Sequence, residues 1–334
     1  MVQIVEVDPS DVPAFARWHR ALTEGALAGR TAATVSTLPE LTGSLGDPSP
    51  FLRRIAVGAF APDGSCQGAM LVELPLQEDL ETIGVEIDVP PPHRGHGIGD
   101  ALWRWAVQRA AEAGRTVVQV EVPVPTGQTL ASWPGARFAT ARGFVSEHVE
   151  DHLVADLPFD ARLLDELAGA APSDGYRVTA WTGPCPEGLV QTWADLRTAM
   201  SVDVPTGGLT REAVVVNPER VRTEDLRMAA SWQTLRAMAV DAAGTPVAYS
   251  VLHLPRTNPE HALQDDTLVL RAHRGHGLGT RLKVANLRQL AALADPGRRW
   301  LHTYTAQDNA AMQRVNARFG FRAVEEVHEL ELRS

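Results

Sequence analysis

The sequence contains very little lysine and cysteine. Lys283 is its single lysine, and Cys66 and Cys185 are its two cysteines. One cysteine in each half excludes a disulfide framework and is typical of a reducing compartment, so we expect a cytoplasmic protein. Neither cysteine stands in a metal-ligand spacing, and the sequence predicts no metal site.

Long apolar segments are also missing. The sequence has no apolar run of about 18 residues, so we expect no membrane span. Its first residues, 1–8, lack a basic flank and a long apolar core, and they predict a strand rather than a signal peptide.

The sequence carries fewer positive than negative side chains. Lysine and arginine together number 31 against 41 aspartates and glutamates, which gives a net charge of −10 at pH 7. This balance disfavours nonspecific binding to nucleic acid, so we expect no nucleic-acid partner. The 334 residues, 44% of them hydrophobic, are enough for two domains with full cores.

A seven-residue segment occurs twice. Residues 93–99 read His-Arg-Gly-His-Gly-Ile-Gly, and residues 273–279 repeat them with leucine for isoleucine. Each copy follows a strand-like apolar run and precedes a helix-like stretch. A strand, a glycine-rich turn and a helix aim several backbone N–H groups at one point, which favours phosphate binding. The repeat therefore predicts two copies of one anion-binding domain.

Three phosphate-binding motifs can be compared with this segment. The dinucleotide fingerprint G-x-G-x-x-G needs a third glycine where Asp100 and Thr280 stand, and the Walker pattern is absent. The pattern R-x-x-G-x-G fits both copies, at Arg94, Gly97 and Gly99 and at Arg274, Gly277 and Gly279. The alternative is a glycine-rich turn that only tightens the junction between strand and helix.

This pattern resembles the acetyl-CoA pyrophosphate loop of the GNAT superfamily of N-acetyltransferases. The resemblance extends to the Gly-Phe pairs at 143–144 and 320–321, which stand where the family's last strand begins. Residues 309–316 are similar to the family's Asn-x-x-Ala-x-x-Leu-Tyr pattern, with Met312 for alanine and Asn316 for tyrosine. In the first copy, Ser132 replaces the asparagine and Ala139 the tyrosine.

The resemblance implies an α/β (α+β) fold class. We expect two tandem GNAT-like domains, each a mixed, mostly antiparallel sheet with helices on both faces. The layout resembles the actinobacterial two-domain acetyltransferases, of which mycothiol synthase is the best-known type. The predicted bounds are residues 1–158 for the first domain, 159–175 for a linker with a bridging helix, and 176–334 for the second domain.

The resemblance also implies that acetyl-CoA is the cofactor and that both loops, with the strands before them, bind it. The strands would supply backbone N–H groups to the thioester oxygen. The predicted cofactor-binding residues of the first copy are Ile87, Val89, Arg94, Gly95, His96, Gly97, Ile98, Gly99 and Asp100. Those of the second copy are Leu268, Leu270, Arg274, Gly275, His276, Gly277, Leu278, Gly279, Thr280 and Asn309.

Candidates for acid-base catalysis lie in the second half. Asp266, next to Asp265, begins a strand, and His302 and Tyr304 alternate on another, so both should point to one face. The alternative is that the aspartates are solvated charges and His302 is a packed core residue. In the first half, Glu81, Glu86 and Glu121 are possible bases, or simply exposed. The second half keeps the asparagine and this pair, so we expect it to be the catalytic half.

The predicted function is transfer of an acetyl group to a primary amine of a small molecule, by direct attack in a ternary complex. The alternative is an acetyl-CoA-binding pseudo-enzyme, scaffold or sensor, because both family tyrosines are replaced. A nucleotide binder unrelated to CoA is a third hypothesis. We expect a monomer or a homodimer. The segments 26–49 and 202–225, predicted as acceptor-side loops, contain no motif that names the acceptor.

Overall fold

The computed structural model describes residues 2–170, 174–293, 295 and 297–333. Its first half forms, in chain order, β1 (Gln3–Glu6), α1 (Val12–Leu27), α2 (Leu38–Gly46), β2 (Leu52–Phe60), β3 (Cys66–Pro75), β4 (Thr82–Asp88), α3 (Ile98–Glu112), β5 (Val117–Pro125), α4 (Pro134–Thr140) and β6 (Val145–Asp156). Its second half forms α5 (Ala161–Gly169), β7 (Arg177–Thr182), α6 (Val190–Asp203), α7 (Pro218–Ser231), β8 (Trp232–Val240), β9 (Pro246–Pro255), β10 (His261–Val269), α8 (Leu278–Ala292), β11 (Trp300–Ala306), α9 (Ala310–Arg318) and β12 (Arg322–Arg333).

The chain packs into two compact units that are not continuous in sequence. The first unit contains residues 1–150, 206–212 and 324–334, and the second contains 151–205 and 213–323. The first unit thus includes most of β12, the last strand of the chain. The domain bounds predicted from the sequence say which segments fold independently, and they stay a prediction.

The first unit is built on a mixed sheet with strand order β1-β2-β3-β4-β5-β12. Its neighbours pair antiparallel, except for β4 and β5. These two are parallel and pair from Thr82 to Gly84 with Val117 to Gln119, while β4 continues beyond the pairing to Asp88. The parallel pair therefore separates towards the loop that follows β4.

The second unit repeats this arrangement with strand order β11-β10-β9-β8-β7. Here β10 and β11 are the parallel pair, joined from His261 to Leu263 with Trp300 to His302. The strand β10 continues to Val269, so the second sheet also opens towards its glycine-rich loop.

Helices cover both faces of each sheet. In the first unit, Phe15 and Trp18 of α1 pack on one face, and Leu102 of α3 packs in the separate core on the other. In the second unit, Trp193 of α6 packs on one face and Leu287 of α8 on the other. The predicted fold class, two tandem domains with mixed, mostly antiparallel sheets and helices on both faces, is confirmed.

The two segments predicted as acceptor-side loops each contain a helix, so that prediction is wrong. The helix α2 begins after a capping box in which Thr37 and Glu40 satisfy each other's backbone N–H groups. The helix α7 begins at Pro218 after the N-cap Asn217. A proline in the first turn and a capping side chain favour the start of a helix. The glycine, proline, serine and threonine content of both segments nevertheless indicates a loop.

The predicted linker contains α5, whose Leu164 and Leu167 pack in the same core as Leu287 of α8. This helix therefore belongs to the second unit. Residues 171–173, which we predicted as part of the loop of the linker, lie outside the described residues. Within the part of the chain that the structure describes, no helix is long and apolar enough to cross a bilayer.

Candidate active site

Each glycine-rich loop wraps into the start of a helix. Gly95 and Gly97 have φ values of 75° and 77°, and Gly275 and Gly277 have values of 87° and 68°. These left-handed conformations favour glycine strongly over other residues. Gly97 and Gly277 are the N-caps of α3 and α8, and glycine has no side chain to accept from the first helical turn. The N–H groups of residues 98–100 and 278–280 therefore point out of the helix N-termini, where the helix dipole favours an anion.

The motif arginines turn back onto the strands that precede their loops. Arg94 Nε donates to the carbonyl oxygen of Val89 at 2.8 Å, and Arg274 Nε donates to that of Val269 at 3.1 Å. The matching geometry in both copies shows that each arginine fixes the loop to the end of its strand. Both were predicted to bind the cofactor directly, and that role stays a prediction.

The two loops differ at the third position of the helix. Asp100 places a carboxylate in the first turn of α3, where it pairs with Arg142. The equivalent Thr280 is buried and neutral, and Arg318 Nη1 donates to its hydroxyl at 3.4 Å. A carboxylate at a helix N-terminus competes with a phosphate for the same N–H groups and dipole. The second loop is therefore the better anion site in this respect.

The chain's own carboxylates lie beside the second loop. Asp174 accepts from His276 Nδ1 at 2.5 Å and lies 3.4 Å from Arg281 Nη1, while Asp203 pairs with Arg274. In the first loop, His96 Nδ1 lies 2.7 Å from the carbonyl oxygen of Arg94. The predicted ligands His276 and Arg274 are thus paired with carboxylates, which neutralise part of the positive charge of the second loop.

The strand register decides which backbone N–H groups face the opening of the second sheet. The N–H of Leu270 donates to the carbonyl of Val247 on the β9 side at 2.9 Å. Leu268 pairs with Tyr249 of β9, and alternate residues of an antiparallel strand face the same neighbour. The structure therefore turns Leu268 and Leu270 towards β9 and turns Thr267 and Val269 towards the opening. Thr267 and Val269 correspond, 180 residues earlier, to Ile87 and Val89. Those two residues are predicted to bind the cofactor in the first copy.

A bulge lies in β10 just before this point. The register with β9 shifts between Gln264 and Thr267, so Asp265 and Asp266 stand in the irregular segment. Such bulges re-aim side chains next to active sites. In the first unit, β4 pairs with β3 in continuous register from Gly84 to Asp88.

Asp266 is hydrogen-bonded to a tyrosine beside the opening of the sheet. Tyr249 Oη donates to Asp266 Oδ2 at 2.9 Å, and the Tyr249 ring packs 4.8 Å from that of Trp193 on α6. Partial burial and the neighbouring charge of Asp265 raise the pKa of Asp266 to about 6. A carboxyl group with this pKa is ionised at neutral pH and accepts protons more readily than an exposed aspartate.

His302 lies in a line of three histidines. Its Nδ1 is 2.9 Å from His152 Nε2 and its Nε2 is 2.8 Å from His261 Nδ1. The His302 side chain is 1% exposed, and burial lowers the pKa of the half-buried His261. Both ring nitrogens of His302 therefore have histidine partners, which suits a relay that moves protons better than a base that meets substrate.

Tyr304 is the more accessible member of the predicted pair. Its side chain is 38% exposed, and its ring stacks 4.6 Å from His152. Leu301 packs in the core under α8, so His302 and Tyr304 face the other side of the sheet, as does Asp266 through Tyr249. The structure thus places the three predicted catalytic residues on one face, with the sheet opening between Asp266 and Tyr304.

The asparagines of the terminal motif have structural partners. Asn309 is the N-cap of α9, and its side chain accepts from the N–H of Met312 at 3.1 Å. Asn316, at the family's tyrosine position, is completely buried and accepts from Lys283 Nζ at 3.0 Å. Its Nδ2 donates to Thr305 Oγ1 at 2.9 Å. Asn316 is therefore part of an internal network and is shielded from the opening.

This network contains the chain's single lysine, and burial lowers the pKa of Lys283 to about 7. The folded state therefore releases a proton that the unfolded chain holds up to its ordinary pKa of about 10.4. Wild-type stability should rise with pH from about 7 to 10, because the unfolded state then binds more protons. We expect Lys283→Met to remove this rise and to increase Tm at pH 6, by about 2–4 °C for each kcal/mol gained.

Thermal unfolding of both proteins at pH 6 and pH 9 measures this difference. Lys283→Arg is the control that keeps the buried charge, and it should be destabilised at both pH values. Parallel Tm curves for wild type and Lys283→Met between pH 6 and 9 would contradict the assignment of a neutral buried lysine.

The glutamates proposed in the first half lie on or beside its parallel pair of strands, β4 and β5. Glu81, before β4, is exposed, and its carbonyl accepts the N–H groups of Thr116 and Val117. Glu86 on β4 and Glu121 on β5 are also exposed, on the strands that border the first opening. Glu86 has a specific partner, because a hydrogen bond links its side chain to Asp88. Partial burial and the charges of neighbouring glutamates, Glu329 first, raise the pKa of Glu121 to about 7.

A model of the acetyltransferase (GNAT) family matches residues 209–321. The matched segment, which lies in the second half of the chain, is a GNAT acetyltransferase domain. Acyl transfer is therefore the reaction class of the protein, an N-acetyltransferase, and GNAT enzymes generally use acetyl-CoA. The comparison with curated proteins gives no significant match.

Solved structures extend the fold assignment to the whole chain. A tandem GNAT protein from the clavulanic acid biosynthesis pathway, in a structure without AcCoA, aligns with a TM-score of 0.80 and 27% identity over 100% of this chain and 98% of that chain. A GCN5-related N-acetyltransferase from Sphaerobacter thermophilus aligns with a TM-score of 0.66 and 18% identity over 99% and 95%. The predicted tandem arrangement of two GNAT domains is thus confirmed.

A third structure shows the fold alone. It is the glucosamine N-acetyltransferase region of a fungal multi-domain GH3 β-N-acetylglucosaminidase, with a TM-score of 0.61 and 14% identity over 99% of this chain and 38% of that chain.

Several residues that contact the candidate site carry no signal in the sequence. Tyr249, Asp174 and Asp203 contact predicted residues from distant segments, and a strand-like or loop-like pattern alone gives no signal for such pairs. His152 stands on β6 and meets His302 only after folding. The bulge at Asp265 and Asp266 could have been suspected from two adjacent carboxylates inside a strand, which are disfavoured there.

Proposed function

We propose that the protein transfers an acetyl group from acetyl-CoA to the primary amine of a small molecule, and that the second unit performs the chemistry. The observation that carries the proposal is the start of α8, where two left-handed glycines expose the N–H groups of Leu278, Gly279 and Thr280. These groups suit the pyrophosphate of CoA. The same loop in the first unit carries Asp100, which favours the second unit.

Bound acetyl-CoA would supply an activated thioester carbonyl at the opening between β10 and β11. The N–H groups of Thr267 and Val269, which face this opening, would stabilise the negative charge that develops on the thioester oxygen. Arg274 would hold the loop in place through Val269. Direct attack in a ternary complex fits this layout, because acceptor and donor would meet at one opening.

Asp266 would remove the proton from the attacking amine, directly or through one water. An alkyl amine with a pKa of about 10.4 is almost fully protonated at pH 7, so it needs such a base. Tyr249 would hold Asp266 in place, and Tyr304 is the residue best placed to return a proton to the leaving thiolate. His152, His302 and His261 would then carry protons away from the site.

The acceptor class stays open among aminoglycosides, aminosugar-thiols, polyamines, amino acids and protein N-termini. The helices α2 and α7, which stand in the segments predicted as acceptor-side loops, would shape the acceptor site. We further propose a cytoplasmic monomer or homodimer without a nucleic-acid or membrane partner.

A second candidate function has its own supporting observation. Asp174 and Asp203 pair with His276, Arg281 and Arg274 around the second loop. Carboxylates in these positions compete with the phosphates of acetyl-CoA, which favours an acetyl-CoA sensor or scaffold with weak binding in the second unit.

Release of free thiol from acetyl-CoA, followed with a thiol reagent across a panel of amines, distinguishes the two. The transferase releases CoA in proportion to one class of amine. A sensor would bind acetyl-CoA and release no thiol above the background of the protein-free reaction.

A further inference from the structure

A compact cluster of metal-ligating side chains lies in the first unit, outside the site described above. His148 and Glu150 alternate on β6 and therefore share a face, and Glu329 stands on β12, which neighbours β6 in the sheet order. One ligand atom from each of the three residues lies within 4.8 Å of the other two. All three residues belong to the first unit.

The histidine of this cluster is buried with an unused ring nitrogen. His148 is 8% exposed, and its Nε2 has no hydrogen-bond partner among the described residues. A buried polar atom without a hydrogen-bond partner destabilises the folded state. Native proteins rarely leave such an atom unpaired, and a bound water or ion is its common partner. Nε2 of His148 is therefore available to bind a cation through its lone pair or to donate a proton to a ligand.

The two carboxylates of the cluster lie close enough to repel each other. Burial and the charge of Glu329 raise the pKa of Glu150 to about 7. Arg211 Nη2 is 3.5 Å from Glu329, but its side chain is 43% exposed, which weakens the pair. Glu121 of β5 stands directly opposite Glu329 in the register and adds a further carboxylate. A cation at this point would offset the repulsion.

The donor set selects the kind of cation. Imidazole nitrogen with carboxylate oxygens suits Zn²⁺ and related transition metals, whereas Mg²⁺ and Ca²⁺ prefer oxygen ligands alone. The three side chains project from paired strands, which hold ligands rigidly. We propose that His148, Glu150 and Glu329 bind one divalent transition metal ion of the zinc type.

The site would join β12 to the rest of the first unit. The last strand of the chain pairs with β5 from Glu325 to Arg333, and a metal held by Glu329 and by β6 would fasten its other edge. Binding of metal to the folded state alone raises its stability. The sequence predicted no metal site because its ligands stand on strands from the middle and the end of the chain, with no local spacing to reveal them.

Calorimetric titration of ZnCl₂ into metal-stripped full-length protein tests the proposal. We expect one site per chain and a Zn²⁺-dependent rise in Tm. Glu329→Gln and, independently, Glu150→Gln should each weaken binding about 100-fold or more, because even outer-sphere partners are worth about 10–100-fold in metal affinity. Both substitutions keep side-chain size, so circular dichroism should be unchanged.

Glu326→Gln is the matched control, because Glu326 stands on the same strand, faces the opposite side and is 54% exposed. It should bind Zn²⁺ like wild type. Binding of Co²⁺ should give visible d–d absorption that Glu329→Gln lacks. Absence of Zn²⁺ binding in the wild type, or equal binding in all three variants, would overturn the proposal. The same titration with 1,4-diaminobutane, which carries two ammonium groups, is a further test. If the diamine gave binding heat and Zn²⁺ gave none, the proposal would be overturned and the cluster would be assigned to an ammonium group.

Discussion

Asp266→Asn is expected to lower kcat by about 10²–10⁴-fold, the usual contribution of a positioned general base. Asparagine keeps an oxygen that can accept from Tyr249 Oη, which lies 2.9 Å from Asp266 Oδ2, so the local packing is preserved while the proton acceptor is lost. The pKa of Asp266 is about 6. Wild-type activity should therefore rise with pH through about 6 as the carboxyl group ionises, and the variant should lose this limb.

Steady-state kinetics from pH 5 to 8, with the amine that gives the fastest thiol release, measures both effects. Asp265→Asn is the informative control. The Asp265 charge raises the pKa of its neighbour, so its removal should move the acidic limb of the profile to lower pH. An unchanged limb in Asp266→Asn would assign the titration to another group and contradict the proposed role.

The second large effect concerns the loops. Arg274→Glu combined with Gly277→Trp is expected to abolish turnover, whereas Arg94→Glu combined with Gly97→Trp should leave most of it. The paired changes are matched, because Gly97 and Gly277 have similar φ values of 77° and 68° and both are helix N-caps. Each tryptophan would carry similar backbone strain and would cover the exposed N–H groups of its own helix.

Turnover and thermal unfolding should be measured together for both double variants. Similar Tm values with opposite effects on turnover would locate catalysis in the second unit. Loss of turnover from the Arg94 and Gly97 changes alone would instead locate it in the first unit. The structure gives each result a physical basis, since Asp100 disfavours an anion at the first loop and Asp174 and Asp203 disfavour one at the second.

Much of the fold could be predicted because its signals are local. The strands and helices around residues 2–22 and 176–200 follow from alternation and helical spacing, and the repeated loop locates both helix N-termini. The helices α2 and α7 do not follow from the composition of their segments, which contain several glycines and prolines, although Thr37, Glu40 and Asn217 cap them.

The candidate site could be predicted only in part, because some of its features depend on contacts between distant segments. Asp266, His302 and Tyr304 do share a face, because strand alternation alone sets that relation. Which N–H groups face the opening depends on the register between β9 and β10, and a shift of one residue exchanges Leu268 and Leu270 for Thr267 and Val269. No sequence pattern records that register.

The central claim is that acetyl-CoA binds at the second glycine-rich loop for transfer to an amine, and calorimetric titration of acetyl-CoA into the wild-type protein and the Arg274→Glu, Gly277→Trp variant tests it most directly. We predict binding in the wild type and loss of one site per chain in the variant. Two sites in the wild type would show that the first loop binds as well. Binding that is unchanged in the variant, or no binding in the wild type, would contradict the account.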